Sequence, residues 1–196
     1  MKTAIICLHE IYGVNTFIQK AGQNLHHTFC LPVFTPSFLT NQQTYPYSEH
    51  DKAYSSFVNE VGFDQATERI DSFLHTLDEK YEQFLLWGYS IGATVGWRVS
   101  HRNKKVKGFV GFYGSRIRNY IEEVPGCPVL LIYPEKEQSF DVRKMSEQLM
   151  SLENIQINIV PASHGFADPY NPVYQEIEAK NQTDRAIEFF SELMGT

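Results

Sequence analysis

One short stretch, Gly88-Tyr89-Ser90-Ile91-Gly92, constrains the fold of this chain more than any other. It follows the apolar run Gln83-Phe84-Leu85-Leu86-Trp87, which reads as a strand, and precedes a helical pattern from Ile91 to Ser100. A serine between such elements, with glycine two places to either side, fits a tight strand-to-helix turn. The turn leaves no room for side chains at Gly88 and Gly92 and lifts the serine hydroxyl above the sheet edge. The Ile91 N–H then opens the helix and points to where a negatively charged oxygen would form.

The rest of the chain repeats the same alternation. Thr3–Leu8 is a continuous apolar run rich in β-branched residues, which suits a strand covered on both faces. Asn15 is a helix N-cap ahead of Phe17, Ile18, Ala21 and Leu25. Leu31–Pro36 reads as a second strand and 41–51 as a polar loop. Helical patterns follow from His50 to Tyr81 with a break near Gly62. Strands are expected at Val106–Phe112, Pro128–Tyr133 and Ile155–Val160, with helices at Phe140–Leu152 and about Pro172–Met194. Six strands separated by helices imply an α/β fold, a mostly parallel, doubly wound sheet with helices on both faces, in one domain over 1–196.

Composition narrows the function. A net charge of −6 argues against nucleic acid as a partner, and the Arg102–Lys107 run reads as a solvated turn. No apolar run reaches membrane-spanning length and the first residues lack a signal peptide's pattern. Cys7, Cys30 and Cys127 have no metal-like spacing and read as free thiols of a reducing, cytoplasmic location.

A serine hydroxyl needs a base to become a nucleophile. His164, in Pro161-Ala162-Ser163-His164-Gly165-Phe166, lies just beyond the last expected strand, at the carboxyl edge where open α/β sheets bind ligands. The six other histidines, His9, His26, His27, His50, His75 and His101, are less well placed. An acid to orient His164 should follow the strand ending at Tyr133. Glu135, Glu137 and Asp141 are available; Glu137 sits best, and Asp141 doubles as a helix starter. The loop after the first strand, His9-Glu10-Ile11-Tyr12-Gly13-Val14-Asn15, offers the Ile11 N–H as a second oxyanion donor. By residue type alone, Glu10 reads as a solvent-facing carboxylate. Tyr12, Phe38, Tyr89, Tyr113 and Phe166 are candidates to line an apolar substrate pocket.

Four segments together resemble the dienelactone hydrolase family of the α/β-hydrolase superfamily. They are 9–15, 88–92, Tyr133-Pro134-Glu135-Lys136-Glu137 and Ser163-His164-Gly165-Phe166-Ala167, and the likeness spans nearly the whole chain. The resemblance implies a role for Glu10 that residue type does not: it matches a family glutamate that contacts the resting nucleophile and moves away when substrate binds. Three departures modify the expectation. Ser90 stands where dienelactone-cleaving members carry cysteine. Glu137 stands where the family acid is usually aspartate. Asp168 stands four residues after the histidine, where an arginine holds the substrate's carboxylate, so a carboxylate substrate is disfavoured. The chain also begins directly at the motif strand, like a trimmed member. The expectation is a serine hydrolase for a small ester, thioester or lactone, without metal or organic cofactor. An acyltransferase and a non-hydrolytic binding protein on the same scaffold are the alternatives.

Overall fold

A computed structural model describes residues 2–137 and 140–195. Six strands form one sheet: β1 (Thr3–Leu8), β2 (Val33–Phe34), β3 (Gln83–Tyr89), β4 (Val106–Phe112), β5 (Val129–Lys136) and β6 (Ile155–Ser163), in the order β2-β1-β3-β4-β5-β6. Every neighbouring pair is parallel. The helices are α1 (Thr16–Phe29), α2 (His50–Ser56), α3 (Gly62–Thr76), α4 (Ile91–Arg102), α5 (Val142–Leu149) and α6 (Glu176–Met194).

Side chains alternate across the central strands and feed two cores. Ala4, Ile6 and Leu8 of β1 and Phe84 and Leu86 of β3 pack under α2 to α5, against Ala53, Ile70, Leu74, Trp97 and Met145. Ile5, Cys7, Leu85, Trp87 and Tyr89 face the other way, toward Ile18 and Leu25 of α1 and Ala186 and Phe190 of α6. Both faces of the sheet are therefore covered at its centre, which is why β1 and β3 read as apolar runs. Burying one such large apolar side chain contributes roughly 1.5–3 kcal/mol.

The expected elements are present, with shifted ends. β2 is cut to Val33–Phe34 because Pro32 and Pro36 have no N–H for a ladder; the Pro32 carbonyl still accepts from Ile5 N–H at 2.9 Å. The helical stretch after His50 breaks through a π turn at Phe57–Val61, ahead of Gly62 with φ of 66°. β5 continues past Tyr133 and through Pro134, which pairs with Val160 before a register shift. The last helix begins at Glu176, because turns occupy 168–174. Among the described residues, no helix is long and apolar enough to cross a membrane. Cys7, Cys30 and Cys127 are free, with only Cys30 exposed.

The strand order sets the site. From β1 the sheet grows outward to β2 on one side and to β3 on the other. Loops leaving the carboxyl ends of β1 and β3 diverge, and ligand crevices of open α/β sheets form at such switch points. The His9–Asn15 loop follows β1 and Ser90 follows β3.

Candidate active site

Ser90 joins β3 to α4 with φ of 51° and ψ of −116°, a backbone conformation that side-chain-bearing residues rarely adopt. Such strain costs about 1–3 kcal/mol and persists only where surrounding structure imposes it. The two glycines make the turn sterically feasible. A Cβ at Gly88 would lie 2.6 Å from the Gly92 carbonyl oxygen, and one at Gly92 would lie 2.5 Å from that of His9. Both obstacles are backbone, which cannot rotate aside.

The end of β6 delivers His164 beside this turn. Ser90 Oγ lies 3.0 Å from His164 Nε2, and His164 Nδ1 lies 2.5 Å from Glu137 Oε1. Glu137 immediately follows β5, so the strand's extension through Pro134 carries the carboxylate to the histidine. Its side chain is only 4% exposed, against 37% for His164. Asp141, the rival acid, is occupied elsewhere: its Oδ1 accepts from Arg143 N–H at 3.0 Å and Lys144 N–H at 3.2 Å, capping α5. Glu135 pairs with Arg143 on the surface.

Ile11 borders the same cleft, and among the described residues its N–H makes no backbone hydrogen bond. Ile91 is the first residue of α4, where amides have no acceptor within the helix. His9 is buried and fixes the loop from behind. Its Nε2 accepts from Phe38 N–H at 3.1 Å, so Nδ1 carries the proton given to the Glu10 carbonyl at 2.6 Å. Burial lowers its pKa to about 4, which keeps the ring neutral.

Glu10 departs from the expectation of residue type. It is not solvent-facing but buried. It lines the cleft with Ser90, but among the described residues no hydrogen bond joins the two: Ser90 Oγ is on His164 Nε2, and Glu10 Oε2 has no hydrogen-bond partner. The Tyr113 hydroxyl approaches this carboxylate without completing a hydrogen bond. Burial chiefly, and then the Asp168 carboxylate, raise the Glu10 pKa to about 7, against an opposing pull from His164.

Asp168 also differs from expectation. It is fully buried and outside the cleft wall. It accepts hydrogen bonds from the Tyr47 hydroxyl and from Tyr170 N–H. Tyr47 in turn accepts from Asn15 Nδ2 at 3.0 Å, so Asp168 ties the loop after β6 to the loop after β1. Held this way, it makes no direct contact with the cleft and acts there only through its charge, as it does on Glu10.

The cleft has a volume of about 670 Å3. Of the aromatic candidates, only Tyr12 lines it, with its hydroxyl on His50 Nδ1 at 2.9 Å. Phe38 is buried and stacks on His9. Tyr89 and Phe166 pack in the core beneath α1 and α6, and Tyr113 packs there against the His164 ring. Sequence reasoning missed the polar wall: His50, Tyr54, Arg116, Lys136 and Asn171. Arg116 donates to the Tyr54 hydroxyl at 2.7 Å, and among the described residues neither Arg116 nor Lys136 has a carboxylate partner. No short motif marks these residues, because they arrive from separate elements.

A parallel sheet bearing a serine on a strained strand-to-helix turn, with a histidine from the last strand against it, defines an α/β-hydrolase. The model of the dienelactone hydrolase family matches residues 1–194, and the chain belongs to that family. It is a hydrolase acting on ester bonds. YczH of Bacillus subtilis is 34% identical over 86% of this chain and 82% of its own length. A Klebsiella pneumoniae structure described as a candidate dienelactone hydrolase superposes with a TM-score of 0.79 at 20% identity, covering 97% of this chain and 86% of that one. Dienelactone hydrolase from Anabaena variabilis gives 0.69 at 15% identity, over 97% and 85%. At those identities the structural likeness speaks for the fold.

The buried carboxylate yields a stability prediction. With its pKa near 7 in the folded chain and an ordinary value of 4.5, Glu10 binds more protons folded than unfolded between those values. Its ionisation therefore opposes folding above pH 7, and the penalty fades as pH falls toward 4.5. Glu10→Gln removes it. The variant's stability gain over wild type should be about 2–3 kcal/mol larger at pH 8 than at pH 5, by urea unfolding. His9 shifts the opposite way, but it is present in both proteins and cancels. A gain independent of pH would mean that Glu10 does not ionise near neutrality.

Proposed function

We propose that Ser90, His164 and Glu137 form a catalytic triad that hydrolyses a small carboxylic ester through an acyl-enzyme. The observation that carries this reading is the continuous hydrogen-bond chain from Ser90 Oγ through both His164 nitrogens to Glu137 Oε1. His164 Nε2 takes the Ser90 proton as Oγ bonds to the ester carbonyl carbon. The carbonyl electron pair moves onto oxygen, where the Ile11 and Ile91 amides donate to it. Such a donor is worth about 2.7–4 kcal/mol in a studied serine hydrolase. The tetrahedral adduct then collapses, and the departing alkoxide takes the proton from His164. Water, deprotonated by His164, repeats the sequence on the acyl-serine and frees the acid. Glu137 holds His164 with its proton on Nδ1 and stabilises the imidazolium formed in each half. The ionised Glu10, close enough to act on His164 electrostatically, favours that imidazolium too.

Thioesters and lactones present the same carbonyl to Ser90 and belong to the same substrate class. Asp168 lies outside the cleft wall, so it does not bar contact with a substrate bearing an acidic group. The unpaired Arg116 and Lys136 would accommodate one.

A fluorophosphonate that labels activated serines tests the proposal. One equivalent should bond covalently, the peptide containing Ser90 should carry the adduct, and ester hydrolysis should stop in proportion to labelling. Folded protein that hydrolyses esters yet never labels at Ser90 would overturn the assignment. Folded protein that neither labels nor hydrolyses would favour a binding protein on this scaffold.

A further inference from the structure

Beside Ser90 and His164, the cleft gathers four polar side chains from three separate elements: His50 and Tyr54 of α2, Arg116 beyond β4 and Lys136 at the end of β5. Their hydrogen bonds leave them all as donors. Arg116 Nη2 donates to the Tyr54 hydroxyl oxygen at 2.7 Å. That contact fixes the guanidinium and leaves the Tyr54 proton free to be given away. His50 Nδ1 meets the Tyr12 hydroxyl at 2.9 Å. A phenol is a stronger acid than an imidazole N–H, and an imidazole nitrogen is the stronger base, so Tyr12 is the donor. Burial, first among the causes that push the Tyr12 pKa up to about 12, keeps that proton in place at neutral pH. His50 therefore carries its own proton on Nε2. Arg116 and Lys136 add two fixed positive charges, and among the described residues neither meets a carboxylate. Acidic partners were not scarce, since the chain has 23 Asp and Glu against 17 Lys and Arg. The carboxylates that border the cleft do not serve: Glu137 holds His164 Nδ1, and Glu10 is buried.

This part of the cleft offers donors and two positive charges, and lacks acceptors. A carboxylate brings one negative charge and two oxygens in a plane, which matches Arg116 and leaves Lys136 unanswered. A phosphate monoester brings nearly two negative charges and three oxygens pointing apart. That matches an arginine, a lysine and the neutral donors beside them. From this balance we infer that Arg116, Lys136, Tyr54 and His50 form a phosphate subsite, and that the ester attacked by Ser90 carries a phosphate monoester. The second half rests on the triad reading. The subsite does not, because none of its four residues takes part in the proton transfers.

Phenyl phosphate, which has no carboxylic ester, is the first probe. Titration calorimetry on Ser90→Ala protein tests the subsite with the nucleophile absent. Phenyl phosphate should bind at least tenfold more tightly than benzoate. Arg116→Gln and Lys136→Gln, made in the same background, should each weaken it at least tenfold, the scale of a lost hydrogen bond to a charged group. Arg143→Gln, which removes a surface arginine paired with Glu135 outside the cleft, should leave it unchanged. In wild-type enzyme, kcat/KM for 4-acetoxyphenyl phosphate should exceed that for phenyl acetate at least tenfold, chiefly through KM, and Arg116→Gln should erase the preference. The subsite is overturned if folded Ser90→Ala protein does not bind phenyl phosphate, binds benzoate as tightly, or keeps its affinity in both subsite variants. Those results would stand even in an enzyme that hydrolyses esters. Absence of any preference for 4-acetoxyphenyl phosphate overturns the substrate assignment. Tight phosphate binding by a protein that hydrolyses no ester keeps the subsite and overturns the triad reading instead.

Discussion

Ser90→Ala is expected to lower kcat for 4-nitrophenyl acetate by about 10^6, the scale of nucleophile removal in a studied serine hydrolase. A residual rate above the uncatalysed reaction should survive, because the Ile11 and Ile91 amides and the cleft are untouched. The loss should be chemical rather than structural. The Ser90 side chain makes no capping hydrogen bond to α4, and among the described residues its Oγ is hydrogen-bonded to His164 alone. The strained backbone at position 90 is imposed by Gly88, Gly92 and the β3–α4 junction, which the variant keeps. Thermal unfolding of the variant should therefore stay within a few degrees of wild type. A folded Ser90→Ala protein that keeps more than about a tenth of wild-type kcat would remove Ser90 from the mechanism.

The fold was legible because both of its periodicities are strong. β1 and β3 are apolar on both faces, and the helices between strands carry clear apolar stripes. Position along a strand was legible too, and it placed Ser90 and His164 at one sheet edge before any geometry was known. What spacing does not reveal is which way a loop side chain turns. Glu10 and Asp168 read as exposed or pocket-facing acids, yet both are buried. Asp168 is held by Tyr47, a partner 121 positions away, and no local pattern could announce that. The aromatic candidates failed for a related reason. A large ring beside a catalytic serine can face the substrate or support the turn from below, and Tyr89, Tyr113 and Phe166 do the second. The cleft's cations escaped notice because Arg116 follows β4 and Lys136 ends β5, and they meet only once the sheet is assembled. The family resemblance reached Glu10, which lines the cleft with Ser90, although Ser90 Oγ is hydrogen-bonded to His164 instead.

Glu137→Gln should lower kcat by about 10^3–10^4, near the scale seen when a triad aspartate becomes its amide. The size of the effect follows from the proton on His164. A carboxylate only accepts, so it holds the Nδ1 proton in place and leaves Nε2 free to take the Ser90 proton. An amide can turn its NH2 toward Nδ1 and favour the tautomer with Nε2 already protonated, which cannot act as base. It also withdraws the negative charge that stabilises the imidazolium. The change is nearly isosteric for a side chain that is 4% exposed, so folding should be retained. Asp141→Asn is the informative partner experiment. Asp141 acts on α5 through its side-chain oxygen at Arg143 and Lys144 N–H, and asparagine caps helices about as well as aspartate. That variant should keep kcat within about a factor of two of wild type, with little change in stability. Measured side by side on one aryl ester, the pair separates a carboxylate that holds a catalytic proton from one that starts a helix. If Asp141→Asn is crippled while Glu137→Gln is not, the 2.5 Å contact at His164 is not the one that matters in catalysis.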